Sequence, residues 1–541
     1  MDKPKYQNRP VARLFRLLQP EKKEIFYIYF YAFVSGIINL SLPLGIQAVI
    51  GLLTGARISA SFAVLVALIT LGMIFVSLLQ IMQQTLTERL QQRIFVRAAF
   101  EFGYRLPRIQ LSILKNYEPS SLANRFFDVL NIQKALPKLL VDFSAAVMQL
   151  FFGLLILSIY HTFFVFFGMI MIAVLILILS ITWNKGINTS LTESKYKYKI
   201  ADWLEEILEH SNIFKRNLSS DWILTYLDKL VGNYLEARKA HFQILVLQYL
   251  NLTVFKGLIT AGLLILGGYF VVKEEMNLGQ FVAAEIIILI VIASAEKIVM
   301  SIETLFDALT AVEKMGYITD MEIEQKKNKT MQIDAQKVGM SVEMQALEIV
   351  LEEKITDISF AVQAGKVAWL KVAASAHKKP LLYTLAGIFT ETKGNILFND
   401  LPRDNYEIEE LRGHIGVITP EEGIIYGSIR ENILLGSKQI SDAQMQAACE
   451  DVGLMPWIQS KQEGFEAAMP YHGIGIAENV LTKIRIVRAF LGQPKLVVID
   501  DEMLGKQDEL LPLLLKLHQK YPCTLIFLSE NTNHTLSTIY L

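Results

Sequence analysis

Cysteine is almost missing from this chain: two in 541 residues, Cys449 and Cys523. That excludes a disulfide framework and fits a reducing compartment. Histidine is scarce as well, and its eight residues never fall at ligand spacing, so the sequence makes no case for a metal centre. Neither sign of charge is in excess, the formal balance being −1, and no basic stripe is present, which excludes nucleic acid as an expected partner. What the chain has in abundance is apolar. A hydrophobic fraction of 52% and a mean hydropathy of +0.36 are too high for an ordinary soluble protein, and the length calls for more than one domain.

Charge-free runs locate the membrane part. Ile25 to Ala56 and Ile58 to Thr87 carry no charged residue, and Arg57 marks a turn between them. Each exceeds the roughly 20 residues that cross a bilayer. Phe143 to Asn184 is an uncharged run of 42 residues, long enough for two spans with a turn at His161-Thr162. A fifth and sixth span, Phe242 to Val272 and Gly279 to Val299, flank the polar turn Lys273 to Asn277. Basic residues crowd the N-terminal segment and the connections Arg89 to Lys138 and Lys185 to Arg238, while the short turns hold only Arg57 and Lys273. The positive-inside rule therefore puts both termini in the cytoplasm. The first 24 residues are basic and precede a run longer than a signal peptide's apolar core, so no cleavable signal is expected.

Ionisable residues inside spans are costly and tend to face a cavity or one another. Lys256, Glu285 and Glu296 are the candidates for a substrate pathway. Glu285 and Glu296 lie eleven residues apart, and at about 100° per residue they return to nearly the same helix face. The alternative is that such residues anchor the spans at the headgroups.

The last third alternates strand-like and helical stretches, an α/β pattern. Gly365 to Gly387 has the outline of a strand, a phosphate loop and a helix. A phosphate loop of the form GxxxxGK[ST] needs glycines to bring backbone N–H groups to the phosphates, a Lys for the terminal phosphates and a hydroxyl for magnesium. Residues 372–379 put Val372 and His377 at the glycines, keep Lys378, and put Lys379 at the hydroxyl; Ser375 lies inside the loop, and Pro380 suits a first helical turn. Further on, Pro420 follows the strand Ile415 to Thr419, Tyr426 to Ile433 and Gly464 to Phe490 follow in order, Leu496 to Asp501 ends a Val-rich strand on two aspartates, and Thr524 to Glu530 is another strand.

In order and spacing these segments resemble the nucleotide-binding domain of an ABC transporter, and with six spans ahead of them the chain resembles a half-size exporter. The resemblance implies an α-helical membrane domain of six transmembrane helices joined to an α/β P-loop NTPase-like ABC domain. Carried over residue by residue, Lys378, Lys379, Ser375 and Asp500 stand where ATP and magnesium would be held, Asp500 being the magnesium position. Asp501 stands at the catalytic carboxylate, Glu530 at the switch histidine, Pro420 at the glutamine, and Ile476 to Val480 at the signature. With so many positions changed, ATP and magnesium are doubtful ligands and ordinary hydrolysis is not expected. Glu118 to Arg125 and Arg216 to Trp222 resemble coupling helices. Leu278 to Ala284 resembles secretion-type exporters, which allows a periplasmic adaptor as a further partner.

The resemblance thus implies segments 1–24 (cytoplasmic), 25–320 (membrane domain), 321–340 (linker) and 341–541 (nucleotide-like domain). It further implies a homo- or heterodimer with another half-transporter, in contact with lipid in a plasma or bacterial inner membrane. The expected activity is outward movement of a substrate by alternating access, with ATP turnover weak or supplied by the partner. The competing expectation is a non-hydrolysing scaffold or regulatory subunit.

Overall fold

The computed structural model describes residues 10–54, 60–216, 220–324, 331, 333, 338–350, 354–437, 439–506, 509–530 and 538–540. It divides into two compact units: Met1–Ile109 with Tyr117–Glu322, and Gln110–Asn116 with Ile323–Leu541.

The first unit is helical. In chain order it holds α1 (Pro10–Leu18), α2 (Lys22–Asn39), α3 (Ser41–Thr54) and α4 (Ala60–Arg105). After α5 (Leu111–Leu114), which counts with the second unit, come α6 (Pro119–Asn124), α7 (Asp128–Pro137), α8 (Phe143–Tyr160), α9 (Phe163–Glu209), α10 (Ser211–Arg216), α11 (Ser220–Val272) and α12 (Leu278–Thr319). Among the described residues, six segments are long and apolar enough to cross a membrane. The first uncharged run is broken at Leu40, because Pro43 has no N–H to return to the carbonyl of Asn39. The turn at His161-Thr162 separates α8 from α9. The turn before α12 is fixed by a capping box, the Asn277 side chain accepting the Gln280 N–H at 2.8 Å while the Gln280 side chain accepts the Asn277 N–H at 2.9 Å. The turn expected at Arg57 lies outside the described residues. Among the described residues four helices far outrun a bilayer: α4, α9, α11 and α12 have 46, 47, 53 and 42 residues, or roughly 60–80 Å at about 1.5 Å per residue.

Packing in this unit centres on α12. Its Ile287, Val291 and Ala295 are buried against Leu150 and Leu157 of α8. At Gly186 of α9 the backbone comes so near α12 that an added Cβ would lie 2.3 Å from the Phe306 ring. Some polar groups inside the bundle are answered, Gln248 Nε2 donating to Thr182 Oγ1 at 2.6 Å and the Ser190 and Thr310 hydroxyls meeting at 2.8 Å, while Ser35 Oγ and His241 Nε2 are buried without a hydrogen-bond partner among the described residues. α1 packs with α12 in this unit, Arg13 pairing with Glu313 at 2.5 Å and also with Asp320.

The second unit joins two sheets. Strands β1 (Val342–Val350), β2 (Lys354–Val362), β4 (Thr392–Phe398) and β5 (Leu401–Pro402) form an antiparallel sheet in the order β2-β1-β4-β5. Strands β3 (Val367–Lys371), β6 (Ile415–Ile418), β9 (Leu496–Asp500), β10 (Thr524–Ser529) and β11 (Thr538–Tyr540) form a parallel sheet in the order β11-β3-β10-β9-β6. A short antiparallel pair, β7 (Gly427–Ser428) with β8 (Ala468–Met469), lies among helices α15 (Ile429–Leu434), α16 (Asp442–Asp451), α17 (Met455–Gln459) and α18 (Glu478–Leu491); the others are α13 (Ser375–Leu385), α14 (Ile408–Gly413) and α19 (Leu510–Lys520). Leu496 to Ile499 are fully buried, as central parallel strands must be. Because β10 lies between β3 and β9, the ends of these three strands converge, and residues distant in sequence meet there. Of the first inner connection, the stretch grouped with this unit is Gln110–Asn116, with Leu111 against its core, whereas Glu118–Arg125 stays with the first unit as α6 and the turn after it. Arg216–Trp222 lies partly outside the described residues.

Candidate functional site

The site is built where β3 hands over to α13. Only residues 372–374 link strand and helix, and no residue from 372 to 379 has a positive φ. Val372 donates its N–H to the Ser529 carbonyl at 2.8 Å and is 3% exposed in the core between sheet and helix. A β-branched residue in this place favours burial and continuation of the strand, not a turn around a ligand. Ala374 is extended (φ −148°, ψ 152°), and the helix starts at Ser375. The expectation that Pro380 sits in the first helical turn is therefore corrected: it is the sixth residue of α13 and leaves the Ala376 carbonyl without its helical donor.

The early start carries Lys378 into the helix and turns it onto the ends of β9 and β10. Its Nζ lies 2.6 Å from Asp501 Oδ1, 3.6 Å from Asp500 Oδ1 and 3.8 Å from Glu530 Oε1. Burial works to lower the Lys378 pKa, but the Asp501 hydrogen bond and the surrounding carboxylates outweigh it and hold the ammonium above its usual range. Burial pushes the Asp500 carboxyl up, against the N–H of Glu502 at 3.1 Å and the charge of Lys378. One ammonium thus faces three carboxylates. Lys379 turns elsewhere, pairing with Glu421 at 3.1 Å, while the Tyr383 hydroxyl donates to the other Glu421 oxygen at 2.6 Å. Ser375 is exposed at the first position of α13.

The residues around Pro420 and the start of α18 complete the picture. Glu478 is the first residue of α18, and Arg485 holds its carboxylate at 2.6 Å, so the positive end of that helix already has an anion of its own. Arg485 also donates to the Glu422 carbonyl at 2.9 Å. Burial pushes the Glu422 carboxyl up to about 7, with Arg488 and Arg485 opposing, and its Oε2 is buried without a hydrogen-bond partner. Glu421 and Glu422 were not singled out from the sequence. Their signal was there: two carboxylates directly after a proline that ends a buried strand.

Triphosphate and magnesium do not fit these residues. The link has neither the length nor the left-handed glycines to wrap phosphate, Lys379 offers no hydroxyl, and the one retained lysine is occupied by carboxylates that repel an anion. In the first unit, Lys256 Nζ and Glu296 Oε2 form an ion pair at 2.5 Å between α11 and α12. Glu285, half-buried on α12, makes no hydrogen bond or ion pair with either.

Residues 355–503 match the family model described as ABC transporter. Among curated proteins, the chain is 26% identical over 147 residues to the heterocyst differentiation ATP-binding protein HepA of Nostoc sp., covering 27% of this chain and 24% of that one. It is 23% identical over 238 residues to the putative multidrug export ATP-binding/permease protein YgaD of Bacillus subtilis, covering 43% and 41%. The fold aligns along nearly all its length with a bacterial Atm1-family ABC exporter solved with ATP bound: TM-score 0.81, 16% identity, 94% of this chain and 91% of that one. The chain is a half-size ABC exporter in fold. Among the described residues six apolar helical segments precede the ABC domain, and the chain is a multi-pass membrane protein. Sequence matches to the curated relatives span only part of their lengths, from 11% to 43%.

Proposed function

We propose that this chain is the non-hydrolysing half of an exporter dimer, in which a partner half-transporter supplies ATP turnover and this half supplies membrane helices and a coupling surface. The observation that carries it is the Lys378 cluster, where Asp501, Asp500 and Glu530 occupy the ammonium that would otherwise meet phosphate. Glu478 extends the argument to the partner's site: a composite site closed by the start of α18 would meet a carboxylate there. The basic inner connections favour a plasma or bacterial inner membrane with both termini in the cytoplasm, and the Lys256–Glu296 pair, with Glu285 on the same helix, is the proposed polar element of the pathway. Chain boundaries near residues 24, 320 and 340 fit this division of labour. In steady-state assays the full-length chain in detergent should hydrolyse ATP at background rate, unchanged by Asp501→Asn. Turnover that disappears in Asp501→Asn would remove the proposal. Background turnover that no partner half restores would favour the scaffold instead.

A further inference from the structure

We infer that the first unit holds a binding site for a small soluble polyanion at the inner end of its helices, an inference that rests on the transport reading. A cavity of about 520 Å³ lies between α7, α9, α11 and α12, a size that holds small organic ligands, which occupy pockets of roughly 300–1,000 Å³. Its wall is ionic. Lys134 and Lys138 line it one helical turn apart, a spacing at which like charges repel. Lys197 lines it from α9, its ammonium 5.5 Å from the Tyr198 ring. Among the described residues none of these three lysines has a carboxylate within ion-pair distance.

Two of the three lining carboxylates are already engaged. Glu193 is taken by Arg238 at 3.2 Å, and Asp128 accepts from the Tyr198 hydroxyl and from Asn131 at 3.2 Å. Asp307 alone among the lining carboxylates makes no hydrogen bond or ion pair. The three lysines are exposed at the rim of the recess, and Lys197 is drawn toward Asp128 and Asp307; an oxyanion placed among them gains charge-assisted hydrogen bonds that no carboxylate among the described residues makes to them. Asp307 can take an amine on the same ligand.

Two further observations support a site in water. The uncharged run on α9 ends at Asn184, and Ser190, the nearest α9 residue of the wall, lies about 9 Å further along the helix axis. That places the cavity beyond the hydrocarbon, which favours a soluble ligand over a lipid headgroup of the same chemistry. The helix is also locally rebuilt there: after Pro137 the chain makes a π-helical turn, Lys138–Asp142, and its first residue is one of the three lysines. Such turns are uncommon and recur at functional sites.

The test is calorimetric titration of the full-length chain in neutral detergent with citrate, with inorganic pyrophosphate and with short-chain phosphatidylglycerol. Citrate or pyrophosphate should saturate. Lys134→Gln, Lys138→Gln and Lys197→Gln should each weaken binding roughly tenfold, as expected for a lost charge-assisted hydrogen bond, while Lys461→Gln in the second unit should not. Thermal melts of the same variants check that they fold. Failure of both soluble polyanions to saturate, or equal binding by folded variants, would overturn the site. Stronger binding of phosphatidylglycerol than of either would overturn its assignment to a soluble ligand. Particle mass in the same samples, with and without a partner half, reports on the transport reading separately. A chain that binds citrate but never dimerises keeps the site and loses that reading; a dimer that binds none loses only the site.

Discussion

The two units handle positive charge in opposite ways. In the second, one lysine, Lys378, is surrounded by Asp501, Asp500 and Glu530. In the first, Lys134, Lys138 and Lys197 share a cavity whose remaining carboxylates are engaged, apart from Asp307. A recess is open or closed to an anion according to which sign is left over once the protein has paired its own groups. By that criterion we propose that the Lys378 recess of the ABC domain is closed to phosphate, and that the helical unit is the part that admits an anionic ligand.

The sharpest way to break this contrast is to remove a lysine from each side. Lys378→Met leaves the half-buried Asp500 and Asp501 without a counter-charge, and unfolding of the second unit should become easier by about 1–3 kcal/mol. Adding Asp501→Asn should recover part of that loss in thermal or denaturant melts. If Lys378→Met is neutral, the cluster is not an ion network.

Comparable in size is a pH effect confined to the second unit. Glu422 binds its proton more tightly when folded, burial raising its pKa from the ordinary 4.5 to about 7. In that window the folded state holds more protons than the unfolded one, so stability falls as pH rises from about 4.5 to about 7, by up to roughly 3 kcal/mol. Glu422→Gln should flatten this slope and stabilise the unit at pH 8 relative to the parent. A parent melt that is flat across the window would contradict the assignment.

The smallest effect has the opposite sign. Lys138→Gln relieves a like-charge pair and should stabilise the first unit by about 0.2–0.5 kcal/mol at low salt, with the gain shrinking as salt is added. Destabilisation instead would mean that Lys138 already has a counter-charge.

Much of the fold can be read directly, because membrane spans announce themselves by what they lack: the uncharged runs on either side of His161-Thr162 became α8 and α9, and the polar turn at Lys273 to Asn277 became the capped start of α12. The site was legible in its losses but not in its replacements. Val372 and His377 signal that no glycine remains to turn the loop, yet they do not say that the helix will take up Ser375 and swing Lys378 onto the strand ends. That outcome depends on β10 lying between β3 and β9, a strand order set by the whole sheet. For the same reason Glu530 reaches Lys378 although 152 positions separate them, and the Lys379–Glu421 pair could not be read from motif spacing. The break at Leu40 was readable from Pro43, whose missing N–H leaves the Asn39 carbonyl without a helical donor, whereas Pro380 is carried inside α13 without ending it.

The central claim is that the chain's own carboxylates hold the lysine that would otherwise bind phosphate. It is tested most directly by calorimetric titration of the full-length chain with ATP, in the presence of magnesium and again with a chelator. No saturable heat is expected at concentrations up to about millimolar, where even a Kd of 1 mM corresponds to only about −4 kcal/mol. Tight, magnesium-dependent binding that is lost in Lys378→Met would contradict it.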